Sequence, residues 1–341
     1  MIRNPHNLLA QLHIIHTAIR AAVVAACEAA SVEQMATVVA HEGGDTIFAV
    51  DRVSEAALLE HFAPLAAEWS CVLIAEGLGE TGELVLPAGT NAADAELRII
   101  VDPIDGTRGL MYQKRPGWIL TGVAPNRGSA TTLADIELAL QTEIPLVKQH
   151  LSDTLWAIAD MEVGGTRFNR ITGEYVPFVP QPSQATTVAQ GFGAIARFFP
   201  GQRSELAALD DALHERLLGA PQHGVAQAFE DQYISSGGQL YELMAGHDRW
   251  VADLRPLFQR QLRQHGRSLG LCCHAYDVCT ELIARMVGVV VTDEHGAALA
   301  LPLDIHADVT WLGFANAALA EAMMPVMQAL LRERRLLPSL A

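Results

Sequence analysis

An apolar run, Ile99–Val101, leads directly into the hexapeptide 102–107, which reads Asp-Pro-Ile-Asp-Gly-Thr. The run predicts a buried strand, and the strand ends on two carboxylates that Pro103 holds at a fixed spacing. The amides of Gly106 and Thr107 can bind an anionic oxygen, because glycine allows the backbone to approach a ligand closely. Asp-Pro and Asp-Gly are also common in plain turns, so this segment alone leaves a turn and a binding site about equally open.

Two further acidic residues stand in the same context as Asp102 and Asp105. Glu76 follows a predicted buried strand, and Asp277 opens a predicted helix. Such strand and helix ends converge on one crevice in layered α/β proteins, and ligands bind there. Carboxylates gathered in a crevice repel one another, and a divalent cation removes that cost. Oxygen ligands favour Mg²⁺, Mn²⁺ or Ca²⁺ over zinc, and the Ile104 carbonyl offers another oxygen. The sequence therefore predicts a metal site beside an anion-binding turn.

The order of the predicted elements indicates an α/β fold in two halves. The 341 residues suffice for one large domain or two closely packed ones. A segment with three prolines at 176–187 is the expected boundary, which gives domains at 1–180 and 181–341. In the first half we expect helices over 7–40 and 52–62, strands at 71–75 and 98–101, and antiparallel strands at 118–124, 133–140 and 154–161. In the second half we expect helices at 202–218, 236–246 and 277–287 with short strands between them.

Charge and composition restrict the partners of the chain. The formal charge of −16 argues against nucleic acids and anionic membranes, which require a basic surface. No apolar run reaches the roughly 18 residues of a membrane span, so we expect a cytoplasmic protein. The five cysteines fall in apolar segments and are expected to be reduced thiols. Adjacent Cys272 and Cys273 do not have the spacing of zinc ligands.

Three basic residues, Arg108, Lys114 and Arg115, follow the hexapeptide in a chain that has little positive charge. They form either a pocket for a second anionic group of a substrate or ordinary surface ion pairs. The two interpretations stay about equally open. Arg108 is the favoured candidate for the pocket, because it directly adjoins the predicted anion-binding turn.

The segment 100–107 resembles the signature of the inositol monophosphatase and fructose bisphosphatase superfamily, in which a hydrophobic run precedes Asp-Pro-Ile/Leu-Asp-Gly-Thr/Ser. Four other segments resemble motifs of that superfamily and occur in its order: Asp45–Asp51, Leu73–Glu76, Tyr276–Asp293 and Phe314–Asn316. The hexapeptide is specific, whereas the other motifs are individually weak and gain force from their order.

The resemblance implies an αβαβα sandwich and a Mg²⁺-dependent or Mn²⁺-dependent hydrolase of small phosphate monoesters, such as inositol or sugar phosphates, and we expect a homodimer. It makes the metal ligands Glu76, Asp102, the Ile104 carbonyl, Asp105 and Asp277. The amides of Gly106 and Thr107 would bind phosphate, and Asp51, Glu76 and the Thr107 hydroxyl would serve catalysis. A turn comparable to that at Ser236 lines the substrate in the superfamily, although a plain helix cap explains Ser236 slightly better.

Two alternatives stay open. The basic cluster after the hexapeptide suits a bisphosphate nucleotidase-like phosphatase. Gly77 stands where the superfamily usually has a second glutamate, which leaves room for a catalytically weak relative that binds metal and phosphorylated ligands. Glu80 or Glu83 could compensate for that glutamate from the following loop.

Overall fold

Two sheets carry the fold of this computed structural model, which describes residues 1–42, 45–48, 58, 60–76, 78, 81–264, 266–267 and 270–338. The larger sheet has the strand order β10-β9-β8-β7-β6-β5-β3-β4. Its strands are β3 Cys71–Ile74, β4 Glu83–Leu86, β5 Leu97–Asp105, β6 Gly117–Pro125, β7 Leu138–Ile144, β8 Leu151–Ile158, β9 Glu162–Asn169 and β10 Tyr175–Pro177. Neighbouring strands run antiparallel, except that β3 and β5 run parallel. Glu76 therefore follows β3, and Asp102 lies in the last part of β5, the parallel strand next to it.

The smaller sheet comes from the second half of the chain and has the order β11-β12-β14-β13. Its strands are β11 Phe192–Ile195, β12 Asp248–Asp253, β13 Val290–Thr292 and β14 Trp311–Phe314. β11 and β12 are parallel, and the other two pairs are antiparallel. A separate hairpin near the N-terminus pairs β1 Val38–Glu42 with β2 Asp45–Phe48.

The helices form three layers around the two sheets. They are α1 Pro5–Ala29, α2 Val32–Met35, α3 (residues 60–65), α4 Thr107–Met111, α5 Arg203–Leu218, α6 Ser236–Met244, α7 Arg255–Gln264, α8 Glu281–Met286 and α9 Ala317–Glu333. α1 covers one face of the larger sheet, at β6 and β7. α6 and α8 lie between the sheets, while α5 and α9 cover the outer face of the smaller sheet. The order α, β, α, β, α confirms the layered sandwich expected from the sequence.

The predicted division at residue 180 falls between the last strand of the larger sheet and the first strand of the smaller one. One continuous apolar core nevertheless joins the halves, since it includes Val72 and Leu155 from the first half and Leu240 and Leu312 from the second. The division into two domains stays a prediction.

Three elements predicted from the sequence have other boundaries in the structure. One or two helices were predicted over 7–40, and the structure has two, α1 and the short α2, which Ser31 caps with Gln34 in a capping box. The last residues of that range belong to β1 instead. The strand predicted from 133 begins at Leu138, after a 3-10 turn. The helix predicted over 277–287 is a 3-10 turn, Tyr276–Val278, followed by α8.

By length and composition alone, α1 could cross a membrane. No such segment was expected from the sequence. In this fold its apolar side packs on the larger sheet and buries Leu8, Leu12 and Ile19. His16 is also buried there, and its ring nitrogens lie 3.0 Å from Thr142 Oγ1 and 2.8 Å from Thr121 Oγ1. This polar residue within an apolar helix thus contacts the sheet through its side chain.

Burial of His16 should make the stability of the fold pH-dependent. Burial, with the charges of His13 and Arg20, holds the pKa of His16 well below its usual value of 6.5. The unfolded chain takes up a proton below that pH and the folded chain does not, so this contribution to stability is complete above pH 6.5 and is lost as the pH falls. We expect His16→Gln, which cannot be protonated, to flatten the fall of Tm between about pH 6.5 and pH 4.5.

The exposed His150 provides the matched control, and His150→Gln should keep the wild-type slope. Thermal unfolding followed by circular dichroism at a series of pH values decides the matter. A wild-type slope in His16→Gln would contradict the prediction.

Candidate metal and phosphate site

Three carboxylates from two distant parts of the chain meet in one cleft. Asp102 and Asp105 lie at the end of β5, where the register with β6 shifts between them. Asp277 comes from the 3-10 turn at 276–278. One carboxylate oxygen from each of these three residues lies within 4.8 Å of the others. Glu76, just beyond the end of β3, lines the same cleft.

Burial and mutual repulsion make these carboxylates unusual acids. Burial, followed by the charges of Asp105, Asp277 and Glu76, raises the pKa of Asp102 well above its usual range. Burial and the charge of Asp105 likewise raise the pKa of Asp277. Burial raises the pKa of Asp105 to about 7, although hydrogen bonds from Ser235 and nearby amides oppose the rise. An all-oxygen cluster that resists ionisation by itself fits a hard divalent cation, which would stabilise the charged form.

The N-terminus of α6 holds the Asp105 carboxylate. Ser235 Oγ donates to Asp105 Oδ2 at 2.8 Å, and the Gly237 amide donates to the same oxygen at 2.6 Å. Ser235 also caps α6 by accepting a bond from the Gly238 amide at 2.8 Å. A side chain at Gly237 would not fit, because its Cβ would lie 2.6 Å from Leu120 Cδ2 and 2.9 Å from Asp105 Oδ2. The plain cap expected near Ser236 thus has a second role at Ser235 that the sequence did not reveal.

The turn after Asp105 has the form expected of an anion-binding segment. Gly106 has a φ of 85°, in the left-handed region that favours glycine. A Cβ there would also lie 2.9 Å from that of Ser235. Thr107 Oγ1 donates to the Ile104 carbonyl at 2.9 Å, and the Ile104 amide donates to Asp102 Oδ1 at 3.0 Å. The hexapeptide is therefore a tight unit whose polar atoms line the cleft.

The structure separates the three basic candidates. Arg108 lines the cleft, and its guanidinium carbon lies 5.3 Å from the centre of the Phe199 ring. Lys114 is exposed, and Arg115 pairs with Asp231 and, at 3.8 Å, with Glu242. Neither is among the residues that line the cleft, which agrees with the surface interpretation of these two.

The remaining candidates are divided between the cleft and its surroundings. Ser236 lines the cleft and donates to Cys273 Sγ at 3.5 Å. Glu83 lies on β4 and pairs with Arg98, and it is not among the residues that line the cleft. Asp51, Gly77 and Glu80 lie outside the described residues, so their predicted roles stay predictions.

One wall of the cleft was not anticipated from the sequence. Arg255 lies with its guanidinium carbon 4.4 Å from the centre of the Phe198 ring and 5.4 Å from that of Phe199. Its Nε donates to Asp253 Oδ1 at 2.9 Å, and its Nη1 donates to the Leu271 carbonyl at 2.9 Å. These residues belong to no recognisable motif. The one signal in the sequence is an acidic and a basic residue, Asp253 and Arg255, two positions apart at the end of a strand.

Solved structures share this fold. Fructose-1,6-bisphosphatase of Leishmania major, in holo form, matches with a TM-score of 0.68 at 13% identity, over 98% of this chain and 96% of its own. The extragenic suppressor protein SuhB of Bartonella henselae matches with 0.62 at 13%, over 94% and 98%. The IMPase of Thermotoga maritima matches with 0.59 at 14%, over 95% and 99%. Comparisons with protein-family models and with curated proteins gave no match. The fold of this chain is thus the one that these three structures share.

Loss of the Ser235 hydroxyl should destabilise the fold by more than the loss of an ordinary helix cap. Ser235→Ala removes the cap of α6 and the bond to Asp105, and we expect it to lower the free energy of unfolding by about 2 kcal/mol or more. Ser31→Ala, which removes the Ser31 cap of α2, should cost about 1 kcal/mol or less. Urea unfolding of both variants tests this, and equal losses would mean that the bond to Asp105 contributes nothing.

Proposed function

We propose that this chain is a metal-dependent phosphatase that hydrolyses small phosphate monoesters, such as inositol or sugar phosphates, with Mg²⁺ or Mn²⁺. The observation that carries the proposal is the meeting of Asp102, Asp105 and Asp277, with oxygens within 4.8 Å of one another, beside the turn at Gly106 and Thr107. The shared fold supports it, since two of the matching structures are a fructose-1,6-bisphosphatase and an IMPase.

Each side chain has a role in this proposal. The carboxylates of Glu76, Asp102, Asp105 and Asp277, with the Ile104 carbonyl, would hold the cation. When bound, a divalent cation lowers the pKa of water and neutralises phosphate oxygens. The amides of Gly106 and Thr107 would bind the phosphate of the substrate. The Thr107 hydroxyl, with Asp51, would orient the attacking water.

A substrate with a second anionic group is the second candidate. Arg108 supports it, because the same cleft contains its side chain and the carboxylate cluster. The ring of Phe199 lies against the guanidinium, which limits the conformations of the side chain and leaves less entropy to lose on binding. This candidate corresponds to the bisphosphate nucleotidase-like alternative.

The proposal also covers the location, oligomeric state and partners of the protein. We propose a cytoplasmic homodimer that acts on small phosphorylated molecules. The formal charge of −16 supports the absence of nucleic-acid and anionic-membrane partners, because it disfavours contact with polyanions. The burial of the apolar side of α1 against the larger sheet supports a role of this helix in the core.

Asp105→Asn should abolish turnover without unfolding the protein. The asparagine oxygen can still accept the bonds from Ser235 and Gly237, but a ligand charge is lost. We expect kcat to fall by about a hundredfold or more, beyond what changes around a metal ligand usually cost. Initial rates with a panel of phosphate monoesters, with Mg²⁺ and with EDTA, measure this.

Asp304→Asn is the matched control. Asp304 Oδ1 also accepts two backbone amides, from His306 and Ala307, each at 2.8 Å, and Asp304 is not among the residues that line the cleft. It should keep wild-type activity. Activity in Asp105→Asn equal to that of wild type would refute the metal site, and no metal-dependent hydrolysis by wild type would refute the proposed function.

Arg108→Ala tests whether the substrate has a second anionic group. One guanidinium contributes about 1.5–3 kcal/mol in a charge-assisted hydrogen bond. We therefore expect KM for a bisphosphate to rise about tenfold or more and kinetics with a simple monophosphate to stay nearly unchanged. An equal fall of kcat for both substrates would place Arg108 at the transferred phosphate instead. No change with either substrate would remove the second candidate.

A further inference from the structure

The segment 271–277 is firmly attached to the protein around it. Arg255 Nη1 donates to the Leu271 carbonyl at 2.9 Å, and the Val309 amide donates to the Cys273 carbonyl at 2.7 Å. Arg255 is in turn paired with the buried Asp253. These contacts fix both the start and the middle of the segment, so the turn at its end has a defined place in the cleft.

That turn contacts two of the carboxylates. The His274 amide donates to Asp277 Oδ2 at 2.6 Å. The Tyr276 hydroxyl donates to Glu76 Oε1, across 200 positions of sequence, and lies 3.1 Å from His274 Nδ1. The rings of His274 and Tyr276 are stacked, with centres 5.3 Å apart and planes 16° apart.

We infer that Tyr276 is a positioning residue for the cation site, because its hydroxyl fixes Glu76 of the first half in place relative to Asp277 of the second. A glutamate has several rotamers, and a bond to one of its oxygens leaves the other in a defined direction. Tyr276 is only 4% exposed, so this bond is shielded from competing water. Groups that hold a metal ligand in this way typically change metal affinity ten- to a hundredfold when they are removed.

This inference rests on the proposed function, since it assumes that the carboxylates bind a cation. The experiment is a calorimetric titration of the full chain, stripped of metal, with Mn²⁺. We expect Tyr276→Phe to raise the Kd for Mn²⁺ about ten- to a hundredfold. In rate measurements the Mn²⁺ concentration for half-maximal activity should rise to match, and kcat at saturating Mn²⁺ should stay near the wild-type value.

Tyr241→Phe is the matched control. The Tyr241 hydroxyl also donates to a buried carboxylate, Asp153 Oδ2, at 2.7 Å, and neither residue is among those that line the cleft. We expect Tyr241→Phe to lower Tm and to leave the Kd for Mn²⁺ unchanged. A role of Tyr276 in stability alone would give the same pattern for Tyr276→Phe.

The outcomes distinguish a failure of the inference about Tyr276 from a failure of the proposed function. An unchanged Kd in Tyr276→Phe, with tight binding by wild type, would overturn the inference and leave the proposed phosphatase intact. No Mn²⁺ binding by wild type would overturn the proposed function and the inference with it. If Tyr276→Phe does not fold, Tyr276→Met replaces it, since it also removes the hydroxyl that donates to Glu76 and its flexible apolar side chain adapts to a buried position. An unchanged Kd there would likewise overturn the inference.

Discussion

Repulsion between buried carboxylates is the constraint on which the site depends. Burial raises the pKa of Asp102, Asp105 and Asp277, and the charges of neighbouring carboxylates raise the pKa of Asp102 and Asp277 further. A buried cluster of this kind lowers the stability of the fold unless surrounding groups donate hydrogen bonds to the carboxylates. Here the holding groups are the N-terminus of α6 and the turn at 274–277, and both present N–H or O–H donors to carboxylate oxygens. The start of α6 and the turn before α8, which lie together between the two sheets, thus stabilise a carboxylate cluster that a bound cation would neutralise.

Features set by local sequence were predictable. Helices α5 and α6 lie close to the predicted ranges 202–218 and 236–246. For α6 the reason is local, because Ser235 caps the helix with a side chain that is recognisable in the sequence. The end of β5 was less predictable, since pairing with β6 extends that strand through the register shift to Asp105. The hexapeptide located three of the predicted cation ligands, because they occur within four consecutive residues.

What escaped prediction depends on pairs that are far apart in sequence. Ser235 and Asp105 are 130 positions apart, and Tyr276 and Glu76 are 200 apart. A serine before a glycine-rich helix start predicts a cap, but the neighbouring sequence does not indicate that a carboxylate lies beside it in the fold. For Arg115 the sequence left a surface ion pair and an anion pocket about equally open, and it could not name the partner, Asp231, because that residue is far away in sequence. Local pattern identifies chemical groups, and the topology of the sheets decides which of them meet.

The wide separation of these pairs along the chain also affects how the protein acquires its cleft. The bond between the Gly237 amide and Asp105 closes a loop of 132 positions, and that between Tyr276 and Glu76 closes one of 200. Closing such loops lowers the entropy of the chain before the contact can stabilise it, and contacts between residues this far apart in sequence slow folding. A ribosome must release the chain beyond Asp277 before the carboxylates can be gathered. During synthesis the first half therefore carries Glu76 and Asp105 before the groups that position them, Tyr276 and the start of α6, have been made.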